Sequence, residues 1–122
     1  MSDCGVCLSG GDDGVCEFFS SRIVIARKSH RCDECRRTIV SGIRYEYVAL
    51  KFDKSFETFN TCTQCVEIAN AFYCDRRIIG SLWEDMNEIM DQLTTSCFEK
   101  LSTAEAKLYL RERWMKWKGL TV

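Results

Sequence analysis

Apolar and polar positions divide the chain into stretches of different period. Arg22-Ile23-Val24-Ile25-Ala26 is β-branched and short, and Ile43-Arg44-Tyr45-Glu46-Tyr47-Val48-Ala49-Leu50 is β-branched and aromatic with rough alternation, so both read as strands. Phe52-Asp53-Lys54-Ser55 breaks the second and Phe56-Glu57-Thr58-Phe59 returns, which predicts a hairpin that the first strand can join. Cys62 to Tyr73 reads as a helix, with Thr61 as its N-cap and Val66, Ala69 and Phe72 or Tyr73 on one face. Ile78, Leu82, Met86, Ile89 and Leu93 then repeat at helical spacing and predict a second helix over 78–93. Trp83 and Met90 widen its apolar face, while Glu84, Glu88 and Asp91 should face water. Residues 97–101 read as one short turn. Ser102-Thr103-Ala104-Glu105 reads as a capping box, with Ser102 at the N-cap and Glu105 at N3. It opens a third helix to about Lys118, closed by Gly119, with Ala106, Leu110, Trp114 and Trp117 as its stripe.

Cysteine usage changes this picture most. Nine cysteines stand among 122 residues, far more than packing requires. No apolar run follows Met1 and no stretch approaches a membrane span, so the expected setting is cytoplasmic, without a membrane partner. Thiols there stay reduced, which favours metal over disulfides. The length suits a single domain over residues 1–122, divided into a Cys-rich N-terminal loop (1–21), a zinc-finger core (22–74) and a helical extension (75–122).

Two knuckles carry the metal signal, Cys32-Asp33-Glu34-Cys35 and Cys62-Thr63-Gln64-Cys65, separated by 26 residues. Two intervening residues let each pair turn both sulfurs toward one point. Four converging thiolates form a closed tetrahedral Zn²⁺ site with no open position for a catalytic water. The spacer exceeds the ~15–20 residues of the commonest pattern but accommodates the hairpin. A knuckle, a hairpin and a helix whose first turn bears the last two cysteines is the order of a treble-clef finger, in an α+β fold. A zinc ribbon is the near rival, and the helical sequence after Cys65 argues against it.

The stretch HRCDECRRTIVSGIRYEYV followed by TFNTCTQCVEI resembles small phage- or prophage-encoded zinc-finger proteins that also carry an N-terminal Cys-x-x-Cys, and the ending RERWMKWK is similar too. The resemblance implies a zinc fold and a phage setting, and no mechanism.

A third knuckle, Cys4 and Cys7, lies in a glycine- and aspartate-rich N-terminal loop with Cys16 close behind. Such a loop lacks a core of its own, and a second zinc would order it. Cys16 and Cys74 are the best further ligands, with Cys97 next and His30, the single histidine, a weaker candidate. The plain alternatives are a tail with free thiols, and Cys74 and Cys97 as small buried apolar residues.

Charge is uneven around a net of −1. Residues 1–21 carry −4, residues 22–54 carry +5, residues 55–104 carry −5 and residues 105–122 carry +3. Arg27, Lys28, Arg31, Arg36 and Arg37 surround the first knuckle. They suit either phosphate binding or the offsetting of a Zn(Cys)₄ centre's formal negative charge. Tyr45, Tyr47, Phe52, Phe56 and Phe59 are either core or stacking platforms for a single strand. Trp114 and Trp117 are either core or, with the basic side of the last helix, a docking face.

Enzyme classes fit poorly. One histidine is too few for a His-Asn-His nuclease, the ligand order is not that of a cross-braced RING, and no parallel α/β pattern surrounds any Cys-x-x-Cys as an oxidoreductase would need. The expectation is a non-enzymatic zinc protein without a small-molecule substrate. Its expected partner is a host or defence protein, and the alternative is nucleic acid. Arg31, Arg36, Arg37 and Trp117 are the candidate contacts.

Overall fold

The computed structural model describes residues 7, 8, 18–52, 55–73 and 79–119. The main sheet has three antiparallel strands in the order β1-β4-β5, with β1 Phe18–Ile25, β4 Arg44–Phe52 and β5 Ser55–Cys62. β1 pairs with β4 from Phe18↔Lys51 to Ile25↔Arg44, so the β-branched run does join the hairpin. β4 pairs with β5 from Tyr45↔Cys62 to Phe52↔Ser55. A separate two-residue ladder joins β2 (His30–Arg31) to β3 (Thr38–Ile39). The first knuckle is the turn between β2 and β3.

Four α-helices follow among the described residues: α1 Thr63–Phe72, α2 Leu82–Ile89, α3 Thr95–Phe98 and α4 Ala104–Trp117. The α+β class and the knuckle, hairpin, helix order match the sequence reading. Helix starts do not. The residue capping α1 is Cys62, the last residue of β5, and not Thr61, which lies one pair further back in the ladder. α2 begins at Leu82, not Ile78: Gly80 turns the chain at φ +93°, outside helical space. Residues 74–78 lie outside the described set. Past Ile89 the chain tightens into a 3₁₀ turn, Met90–Gln92, so the α-helix stops short of Leu93. The cap of α4 is Thr103, whose hydroxyl accepts the Ala106 N–H at 3.2 Å, which leaves Glu105 at N2.

Burial follows the predicted α2 stripe, but on α1 Ile68 is buried and Val66 only half-buried, and on α4 Tyr109 is buried while Trp117 is exposed. Leu82, Met86, Ile89 and Leu93 are buried, with Trp83 and Met90 beside them. They meet Cys65, Ile68, Ala69 and Phe72 of α1, and Ala106, Tyr109 and Leu110 of α4. Cys32 and Cys62 belong to the same continuous core, so the knuckles are not an appendage to the helices. Leu8, also buried, donates its N–H to the Phe72 carbonyl at 2.8 Å and ties the N-terminal segment to the end of α1. No helix among the described residues is long and apolar enough to cross a membrane.

Candidate metal centre

The knuckle closes by two backbone bonds, Cys32 N–H to the Arg37 carbonyl at 2.8 Å and Arg36 N–H to the Cys32 carbonyl at 2.9 Å. That tight return places Arg36 in the left-handed region at φ +68°. Asp33 fastens the knuckle to β5: its N–H reaches the Asn60 carbonyl at 2.7 Å, and its Oδ2 accepts the Asn60 N–H at 2.7 Å. Two residues on, Cys62 caps α1 and Cys65 sits in its first turn. There the helix dipole favours thiolate.

The result is a cluster of four sulfurs, Cys32, Cys35, Cys62 and Cys65, all within 4.8 Å of one another. Zinc at about 2.3 Å from each sulfur of a tetrahedron requires S···S separations of about 3.8 Å. Cys35 Sγ and Cys62 Sγ stand 3.7 Å apart. Donor type, number and spacing all fit Zn²⁺.

The four thiols also shift one another. Hydrogen bonds from Cys32, then Cys62 and Cys65, drive Cys35 far below the ordinary thiol range. Cys35 pushes Cys32 up, but Cys62 and Cys65 outweigh it and lower Cys32 to about 7. Cys62 and Cys65 are raised, first by their hydrogen bonds with Cys32 and Cys35 and then by burial. Zinc takes all four sulfurs as thiolates, so its binding would release whatever protons they hold.

Side chains from outside the double knuckle complete the centre. The Arg37 Nε donates to Cys35 Sγ at 3.4 Å, and its guanidinium lies 3.4 Å from the Tyr109 ring centroid. Burial works against the Arg37 charge, but Cys35 more than offsets it and holds the guanidinium protonated. The Trp83 indole N–H donates to Cys65 Sγ at 3.3 Å, and the Cys62 N–H to Cys32 Sγ at 3.3 Å. Arg113 lies 3.9 Å over the Trp83 ring and donates to the Tyr109 hydroxyl at 2.8 Å. Burial, then the charge of Cys35, raises the Tyr109 hydroxyl to about 12 in spite of the Arg113 hydrogen bond. Such outer contacts orient ligands and tune a metal. Sequence reasoning missed Trp83, Tyr109 and Arg113, because nothing local marks a helix residue that reaches a sulfur.

The other candidates separate. Of the basic run, Arg37 serves the sulfurs, Arg31 donates to the Arg36 carbonyl at 3.5 Å, and Arg36 is exposed. Tyr45 is buried, Tyr47 and Phe59 are half-buried and Phe56 is exposed. Trp114 packs edge-on against Phe98 and donates to the Met90 carbonyl at 3.2 Å, whereas Trp117 is 45 % exposed. His30 stands apart from the sulfur cluster, its ring 5.1 Å from Tyr45.

Cys7 and Cys97 each stand in a disulfide, which departs from the expectation of reduced thiols throughout. A sulfur in a disulfide has no thiolate for a metal, so the second zinc expected on Cys4, Cys7, Cys16 and Cys74 gains no support at Cys7 or at the reserve ligand Cys97. Cys4, Cys16 and Cys74 lie outside the described residues. No family model, curated protein or solved structure matches the chain.

Proposed function

We propose that this chain is a zinc-stabilised binding protein, a treble-clef finger on which a helical extension is docked, and that it is not an enzyme. The observation that carries the reading is the four-sulfur cluster, with every sulfur within 4.8 Å of the others. Bound there, zinc would have all its positions filled by Cys32, Cys35, Cys62 and Cys65 and would act as a structural cross-link. Affinity for a macromolecule is then the activity that remains. Freshly purified, reduced protein is expected to contain one zinc per chain, and Cys35→Ser is expected to lose both metal and fold. Metal analysis well below one zinc per chain would remove the basis of this reading.

Trp117 favours a protein partner, of the host or defence kind that the phage resemblance suggests. It is a tryptophan 45 % exposed near the end of α4, and tryptophan is enriched among residues that dominate binding energy. If it anchors such a partner, Trp117→Ala weakens binding by about 2 kcal/mol or more and leaves the melting curve unchanged. Unaltered affinity would assign Trp117 to bare surface.

A further inference from the structure

Away from the sulfurs, an open concavity of about 1150 Å³ lies along β1 and the first half of β4. Arg22, Arg27, Lys28 and Arg44 line it, with His30, Tyr45 and Tyr47. All four cations are exposed, and no carboxylate stands among the lining residues. Offsetting the charge of the metal centre does not account for them: Arg37 does that, and its guanidinium is committed to Cys35 and Tyr109. Cross-strand pairing of Arg22 with Tyr47 sets a cation beside a half-buried ring, with the guanidinium 5.8 Å from the ring centroid.

We propose that this concavity binds single-stranded nucleic acid, with phosphates on Arg22, Arg27, Lys28 and Arg44 and a base stacked on Tyr47. A row of cations tracks a phosphate backbone, and an aromatic ring beside it adds the stacking that single-strand sites use. An acidic peptide would engage the cations but would leave the ring without a planar partner. A duplex has its bases stacked internally and gains nothing from the ring. With the four cations on phosphates, no Asn, Gln, Asp or Glu remains in the lining to read base edges, so binding is tolerant of sequence.

The test uses the zinc-loaded full chain and the change in fluorescence anisotropy of a labelled oligo-dT of about 12 nucleotides. A duplex of equal length and a polyglutamate of matched charge serve as competitors. Oligo-dT is expected to bind best, with log affinity falling against log salt at a slope of about −3 for four phosphate contacts. Arg22→Glu with Arg44→Glu is expected to weaken binding roughly tenfold or more and to flatten that slope, while Arg111→Glu on α4 leaves it unchanged. Tyr47→Leu, which keeps apolar bulk, is expected to cost roughly tenfold. Zinc content is measured for each variant, and Arg22→Gln with Arg44→Gln replaces the charge reversal if that protein loses its metal.

Several results overturn the proposal: no binding of oligo-dT, equal loss in Arg111→Glu, equal competition by the duplex, full affinity in Tyr47→Leu, or preference for polyglutamate, which would point to an acidic protein. In a chain that still holds zinc, any of these leaves the zinc-stabilised reading standing and removes only the nucleic-acid site.

Discussion

Arg36 occupies a position that asks for glycine. It follows Cys35 in the knuckle with φ +68°, and a left-handed conformation costs a residue with a Cβ about 1–2 kcal/mol. Arg36→Gly removes that cost and gives part of it back through a freer unfolded chain. The expected outcome is a gain of up to about 1 kcal/mol in denaturant unfolding of the zinc-loaded protein. A loss would show that the arginine side chain contributes more than its backbone costs. Thr61 is a second residue at odds with its surroundings. It is fully buried in β5, and its hydroxyl has no hydrogen-bond partner. Thr61→Val keeps the shape and removes the unpaired group, so unfolding should show a neutral to favourable change of up to about 1 kcal/mol. A clear destabilisation would mean that the hydroxyl is bonded in solution.

At the scale of elements, two helix starts depend on carboxylates from elsewhere in the chain. Glu34, buried in the first knuckle, accepts the N–H of Gly80 at 2.8 Å and of Leu82 at 3.1 Å, and so holds the beginning of α2. Glu67 of α1 accepts the N–H groups of Ser102 and Thr103 and the Thr103 hydroxyl at the beginning of α4. Burial alone would raise the Glu67 carboxyl, but the bonds from Thr103 and Ser102 outweigh it and hold it below its ordinary value. Both groups place negative charge where helix dipoles favour it. Glu34→Ala is expected to cost about 2 kcal/mol, since a buried charged acceptor is lost from two donors. Thermal unfolding of the zinc-loaded variant checks this, and a cost below about 0.5 kcal/mol would mean that water replaces the carboxylate. These distant caps also explain why the predicted helix starts were displaced. Ser102 and Thr103 are both good caps by residue type, and Glu67, which bonds both, lies far away in sequence.

For the whole molecule, the four-sulfur cluster is where sheet, knuckle and helices meet. Trp83 from α2 donates to Cys65, and Tyr109 from α4 covers the arginine that donates to Cys35. Chelation is therefore expected to melt more than the double-knuckle stretch 29–73. Helical circular dichroism and tryptophan fluorescence should fall together, with one midpoint in chelator concentration. Helical signal that survives metal removal would show instead that α2 to α4 fold without the knuckles.

The sequence alone determined whatever depends on spacing or period. Two Cys-x-x-Cys pairs define ligand sets because two residues between cysteines leave few backbone paths, and alternation or a 3.6-residue stripe shows which side of an element is buried. Those signals are local, so the hairpin, the α2 stripe and the four clustered cysteines were legible, and the α1 face was legible in part, at Ala69 and Phe72. The tertiary structure alone decided what surrounds them. It showed Arg37, and not the rest of the basic run, against the sulfurs, and it assigned Arg27 and Lys28 to a separate groove with Arg22 and Arg44. It also packed Trp114 and left Trp117 exposed. Each outcome depends on which surfaces meet after folding, and residues far apart in sequence carry no local mark of a shared contact.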